Sequence, residues 1–180
     1  MRQIVLLRGI NIGASNRVSM PELRKRLESE GFANVATYLQ SGNVALSSDL
    51  SPERLAASCR ALVHELVGRE IAVVTRTRDE LAKVVDRNPL RDVATDPKRY
   101  QVSFLSEQLP AADVRALEDV AADGERLVAS GRELYAWHPA GVARSKLWAR
   151  LAGADLGVTA TARNWTTVTK LLELADGADR

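Results

Sequence analysis

The chain has 180 residues, a formal net charge of +2 and 46% hydrophobic residues, enough apolar material for one large domain or two small ones. No apolar run approaches the ~18 residues needed to span a bilayer, the run in MRQIVLL reads as too short for a signal peptide, and the single Cys59 excludes an internal disulfide and any multi-cysteine metal site. A cytoplasmic location is expected, and a charge of +2 does not by itself imply nucleic acid.

Residues 2–8, RQIVLLR, read as a strand because the run is short, aliphatic and closed by Gly9. A polar loop follows over 9–18. Ser19-Met20-Pro21-Glu22 then starts a helix: Ser19 caps it, Glu22 completes a capping box and Pro21 fits the first turn. The helix continues through Leu23 and Leu27 to Gly31. Residues 34–41 form a second strand, with Val35, Thr37 and Leu39 on the core face and Ala36, Tyr38 and Gln40 on the other, a mixed aromatic and amide surface. Gly42-Asn43 signals a two-residue type II′ hairpin turn, and 44–48 return as the third strand. Ser51-Pro52-Glu53 opens a helix with Leu55, Cys59, Leu62, Val63 and Leu66 on one face. Gly68 ends it, 71–75 form a fourth strand, and a short helix over 78–87 runs into Asn88-Pro89 and a linker, 88–97.

The second half repeats the order. Strand 99–105 leads to helix 111–122, then to a hairpin of 125–130 and 133–138 around Gly131, a short helix 144–152, a strand 158–162 and a helix 164–175. The expected fold is therefore α+β: two tandem ferredoxin-like (βαββαβ) halves, 1–87 and 98–180, each a four-stranded antiparallel sheet with helices on one face. The face without helices has to meet solvent, a partner, a ligand or the other half.

LLRGINIG (6–13), Gly31-Phe32, Asn34-Val35 and Thr37 to Val44, GVARSKL (141–147) and TARNWTTVTKLLEL (161–174) together resemble a mostly bacterial family, the domain of unknown function numbered 1697. The resemblance implies a two-part α/β fold and no established activity. Ala14-Ser15-Asn16 stands where that family usually continues with a further glycine or a basic residue.

Several constellations carry chemistry. Twenty arginines against five lysines fit coding bias or anion recognition by planar guanidinium groups. Arg8 followed by Gly9-Ile10-Asn11-Ile12-Gly13 suits an anion held by backbone N–H groups and a guanidinium, or plain turn chemistry in which Asn11 bonds its own backbone. The pattern is neither G-x-G-x-x-G nor a Walker loop. Tyr38, Gln40, Ser41 and Asn43 cluster at the hairpin, where the turn alone explains Gly42-Asn43 but not Tyr38 and Gln40. Arg144, Ser145 and Lys146 put two cations at a helix start, against its dipole. Asn164 suits a helix cap, Arg163 an acidic partner or ligand, and Trp165 the core. Two separated histidines, His64 and His138, give no metal site and no Cys–His pair. No cofactor is identified, and an enzymatic role is neither indicated nor excluded.

Three functions remain in view. The first is binding of a small anionic, phosphate- or nucleotide-bearing ligand between the halves, with Arg8, Asn11, Tyr38, Gln40, Ser41, Asn43, Ser145, Lys146, Arg163 and Asn164 as candidate contacts. The second is a protein–protein or oligomerisation module using an exposed sheet face. The third is RNA or single-stranded DNA binding, for which only Tyr38, Tyr100, Phe104, Tyr135 and Trp137 could stack on bases, and the RNP1 pattern is absent.

Overall fold

Continuous burial along the first strand, from Gln3 to Leu7, makes it a central strand of the first sheet. In a computed structural model describing residues 1–13, 17–153 and 156–177, β1 (Arg2–Leu7) pairs antiparallel with β3 (Asn43–Ser47) and with β4 (Val73–Thr77). The edge strand β2 (Ala33–Tyr38) pairs with β3, giving the order β2-β3-β1-β4 of a ferredoxin-like sheet. The chain divides into two compact units, residues 1–83 with 170–180 and residues 84–169.

In the first unit, α1 (Met20–Ser29) and α2 (Pro52–Val67) cover one sheet face. Val5, Leu7, Val35, Val44, Leu46 and Val73 point toward them and meet Leu23, Leu27, Leu55, Cys59 and Val63. Both helices begin as the sequence predicts: Ser19 Oγ accepts from the Glu22 amide (3.3 Å) and Ser51 Oγ from the Arg54 amide (3.4 Å), each with proline in the first turn. Residues 170–177 are tied in by Arg2, whose guanidinium donates to the Leu174 and Ala175 carbonyls, and by the Arg78–Asp176 ion pair (2.7 Å).

The hairpin departs from the expected two-residue turn. Tyr38 pairs with Asn43, so the loop has four residues, 39–42. Asn43 closes it by donating from Nδ2 to the Tyr38 carbonyl (2.9 Å) and to Ser41 Oγ (2.8 Å). Leu39, expected on the core face, leaves the strand at φ 56° and is 57% exposed. Gly42 is required on two counts: its φ is 78°, and a Cβ there would stand 2.6 Å from Leu7 Cβ.

The second unit repeats the order as β6-β7-β5-β8. Strands β5 (Tyr100–Leu105), β6 (Arg126–Ser130), β7 (Glu133–Trp137) and β8 (Ala160–Asn164) are all antiparallel to their neighbours. Leu105, Leu134, Ala136 and Ala160 pack against α4 (Ala111–Glu118) and α5 (Lys146–Ala152) through Leu117, Leu147 and Leu151. Here the hairpin is the expected two-residue turn, Gly131-Arg132, between paired Ser130 and Glu133. Helix α3 (Arg78–Arg87) leads through successive turns over 88–99 into β5. Helix α6 (Trp165–Asp176) is capped by Asn164 Oδ1, which accepts from the Thr167 amide (2.9 Å). Trp165 stacks on Tyr100 with ring centroids 4.8 Å apart, so it packs as its helical stripe suggests.

Candidate functional site

The two units join their first strand to their first helix very differently. From β5 to α4 the chain needs five residues, 106–110; from β1 to α1 it uses twelve, 8–19. The fold step is the same, so turn chemistry does not account for the extra length.

The described part of that long loop is pinned at both ends. The Arg8 amide donates to the Ala72 carbonyl (2.9 Å), and Ile10 and Val18 are buried. Asn11, at φ 55°, spans the loop: its Oδ1 accepts from the Val18 amide (2.9 Å), and its Nδ2 donates to the Val18 carbonyl (2.9 Å) and to the Gln40 carbonyl (2.7 Å). The loop is thereby fastened to the β2–β3 hairpin. Ala14, Ser15 and Asn16, where the sequence leaves the family's usual pattern, lie outside the described residues.

Between loop and hairpin lies a cleft of about 480 Å³ lined by Asn11, Gly13, Arg17, Val18, Ser19 and Gln40. Arg17 is exposed and makes no ion pair among the described residues, and the Gln40 carboxamide is exposed and without a hydrogen bond among them. A cation, a free amide and the Gly13 backbone thus face one concavity, a set suited to an anion. The counterpart in the second unit is smaller, about 310 Å³, and sets Leu109, Val114 and Leu134 beside Gln108, Arg115 and Glu118, a carboxylate that the first-unit cleft does not have. A larger cleft in the first unit, about 650 Å³, has Phe32, Leu50 and Leu62 in its wall and Glu30, Asp49 and Glu65 around them. The Met1 ammonium in its lining pairs with Asp49 (3.6 Å), and Glu30 and Glu65 pair with Arg26 (3.5 and 2.8 Å), so carboxylates dominate this cleft and it suits an anion less.

Of the residues singled out in the sequence, Asn11 and Gln40 come together directly; Arg17, which is not among those candidates, joins them from the far end of the loop. Arg8 is half-buried at the end of β1, and Tyr38 is half-buried on β2. Ser41 and Asn43 bond each other within the hairpin, and Asn43 is fully buried. In the second unit, Ser145 caps α5 by accepting from the Trp148 amide (2.9 Å), while Arg144 and Lys146 are exposed. Arg163 is buried and donates to Thr161 Oγ1 and the Ala162 carbonyl, both at 2.8 Å; burial pulls its pKa down to about 10. Asn164 is the cap of α6. The aromatic rings of Tyr100, Phe104, Tyr135 and Trp137 are buried, Tyr100 lying against Tyr135 and Trp165.

One cluster escaped sequence reasoning. His138 Nδ1 lies 2.6 Å from Glu125 Oε1 and 3.2 Å from Ser145 Oγ, with all three residues buried. Burial alone would raise the Glu125 carboxyl, but hydrogen bonds from Ser145, His138 and the Ala122 amide outweigh it and hold its pKa below the ordinary value. The signal was present in the hairpin register: Arg126 pairs with Trp137, so one further step sets Glu125 beside His138. The cluster lacks the layout of a nucleophilic relay. Carboxylate and hydroxyl share one ring nitrogen, the hydroxyl caps α5, and Nε2 is sealed without a partner among the described residues. It fastens the β6–β7 end to the start of α5. No group of three or more metal-ligating side chains occurs among the described residues, and none of their helices is long and apolar enough to cross a membrane.

A family model described as "Protein of unknown function (DUF1697)" matches residues 1–135. No curated protein matches the sequence. Among solved structures, the chain is similar to the conserved bacterial protein SP0830 from Streptococcus pneumoniae, with a TM-score of 0.73 and 22% identity over 97% of this chain and 98% of that one. That likeness shows the fold.

Proposed function

We propose that this chain, which belongs to the DUF1697 family of proteins of unknown function, binds a small anionic ligand in the cleft lined by Asn11, Gly13, Arg17, Val18, Ser19 and Gln40. The observation that carries the reading is the twelve-residue β1–α1 connection, which brings Arg17 to one cleft with Gln40, neither side chain having an ion pair or hydrogen bond among the described residues, where the same step in the second unit takes five residues. Long, anchored loops on a rigid scaffold are where binding residues concentrate. In this reading Arg17 supplies charge-assisted hydrogen bonds, Gln40 an amide N–H, and Asn11 holds the two walls together because its own polar atoms are engaged in the loop. Arg8 adds positive charge at the head of the loop. Lys146 and Arg163 are not required, because the cleft lies within the first unit.

A thermal-shift titration with inorganic pyrophosphate tests it. At ten times Kd, a ligand bound by the native state alone stabilises by about 1.4 kcal/mol, or roughly 3–6 °C at ~2–4 °C per kcal/mol. Arg17→Gln, at an exposed position, should leave the unliganded Tm in place and remove the shift. An equal shift in Arg17→Gln, or none in either protein, overturns the proposal.

A further inference from the structure

Each four-stranded sheet ends in two edge strands, and three of the four are poorly placed to accept a further strand. β4 and β8 are mostly buried along their length. β2 has a register shift between Ala33 and Ala36, and the Arg2 guanidinium already donates to its Asn34 carbonyl (2.9 Å). β6 differs. Its sequence, RLVAS, has no proline, glycine or lysine, its pairing with β7 is regular from Arg126–Trp137 to Ser130–Glu133, and none of its residues is fully buried. The two-residue turn makes Ser130–Glu133 a hydrogen-bonded pair, and the ladder then alternates, so the N–H and C=O of Leu127 and Ala129 point away from β7. Among the described residues no other strand pairs with β6.

A groove lies beside the same edge. It is the cleft of about 310 Å³ lined by Ala129 and Ser130 of β6 and by Val114, Arg115 and Glu118 of α4. Leu127 and Ala129 share the sheet face that α4 covers, because the residues opposite them, Ala136 and Leu134, belong to that core. Ala129 is nonetheless exposed, its methyl group too small to fill the space beside α4.

From this we infer that β6 is the pairing edge of a symmetric dimer of this chain: it runs antiparallel to β6 of a second copy, with Leu127 opposite Ala129 of that copy and Val128 opposite Val128. The two Leu127–Ala129 pairs exchange the N–H and C=O groups that β7 leaves free, and each Leu127 side chain lies beside the other copy's Ala129, against the groove. Any extended strand would satisfy the backbone, but the second copy is self-complementary. The outward-facing residues are one large and one small, and a two-fold axis at Val128 sets each against the other. Arg115 and Glu118, opposite in sign and close together on the groove side of α4, likewise suit an antiparallel copy. This edge lies wholly in the second unit, so the inference is independent of the anion cleft.

Sedimentation equilibrium of the full chain, together with oxidation of cysteine variants, decides the matter. An edge interface is smaller than a standard one, so the mass should rise toward twice that of the chain with a Kd of about 1–100 μM. Ala129→Lys, at an exposed position, should leave the urea midpoint in place and weaken association at least about tenfold. Val128→Cys puts two thiols at a non-hydrogen-bonded pair, whose Cα atoms stand about 4.5 Å apart, so mild oxidation should give a disulfide-linked dimer. Arg126→Cys, on the same face but about 13 Å from its counterpart along the strands, should not; Cys59 is buried and does not compete. A chain that stays monomeric up to about 500 μM overturns the inference. So does an association that Ala129→Lys leaves intact, or one in which Val128→Cys cross-links no more readily than Arg126→Cys, since either outcome assigns the contact to another surface.

Discussion

Replacing Gly42 by alanine isolates the contact that fixes the hairpin loop against β1. The residue is at φ 78°, where a Cβ costs about 1–2 kcal/mol. The added methyl would also stand 2.6 Å from Leu7 Cβ and 2.9 Å from Ile10 Cδ1. The isoleucine tip can swing aside, but Leu7 Cβ is fixed to strand β1, whose Leu7 amide donates to the Gly42 carbonyl (2.8 Å). Overpacking of that kind adds about 1–3 kcal/mol. Less the entropy that alanine removes from the unfolded chain, the expected net loss is about 2–4 kcal/mol. Gly31→Ala is the control, because Gly31 is at φ 90° and its added Cβ would meet no atom within 4 Å; backbone strain less the same entropy should cost it about 0.5–1 kcal/mol. Urea melts of both variants, followed by far-ultraviolet circular dichroism, measure the difference. Tryptophan fluorescence is the wrong probe, since Trp137, Trp148 and Trp165 all lie in the second unit. A Gly42→Ala midpoint no lower than that of Gly31→Ala, at equal m, would refute the steric argument.

Other outcomes follow from individual groups. His138→Ala should cost about 1.5–3 kcal/mol, because it takes one of its hydrogen bonds from the buried Glu125 carboxylate, which the Ala122 amide still holds; a loss below about 1 kcal/mol in a urea melt would contradict this. The Glu125 carboxyl titrates below its ordinary value in the folded state, so its stabilisation is present above about pH 4.3 and is lost as pH falls further. Glu125→Gln should therefore flatten the stability profile on the acid side, and an unchanged acid slope would count against the pair. Burial pushes the Cys59 thiol up to about 12, so it should resist a thiol reagent at pH 8 until urea unfolds the first unit; rapid labelling of the native protein would contradict its burial. Asn11→Ala, removing three hydrogen bonds worth about 1 kcal/mol each, should lower stability by about 2–4 kcal/mol and abolish the pyrophosphate shift. A variant that still shows the full shift would remove Asn11 from the architecture of the cleft.

The fold was legible because its signals are local. Caps at Ser19, Ser51 and Asn164, and the turn at Gly131, each act within a few residues, and the structure shows each of them. The first hairpin was misread for a reason that is not local. Gly42-Asn43 has turn chemistry, but Asn43 reaches back to the Tyr38 carbonyl and the chain enters the left-handed region already at Leu39, which lengthens the loop and turns that side chain outward. The candidate site was half visible. Asn11 and Gln40 stood out by residue type, yet their direct bond joins positions far apart in the chain, and Arg17 gains meaning only when the loop brings it round. The Glu125–His138–Ser145 cluster needed the hairpin register continued by one pair and the start of α5 brought alongside, the second of which no spacing in the sequence encodes.

A ¹H–¹⁵N spectrum of the labelled protein, titrated with pyrophosphate, bears most directly on the claim that the long β1–α1 loop is a binding site. The account predicts saturable shifts centred on Asn11, Gly13, Arg17 to Ser19 and Gln40, with the counterpart loop at 106–110 unmoved. Shifts gathered at another surface, or a spectrum that does not respond at all, would contradict it.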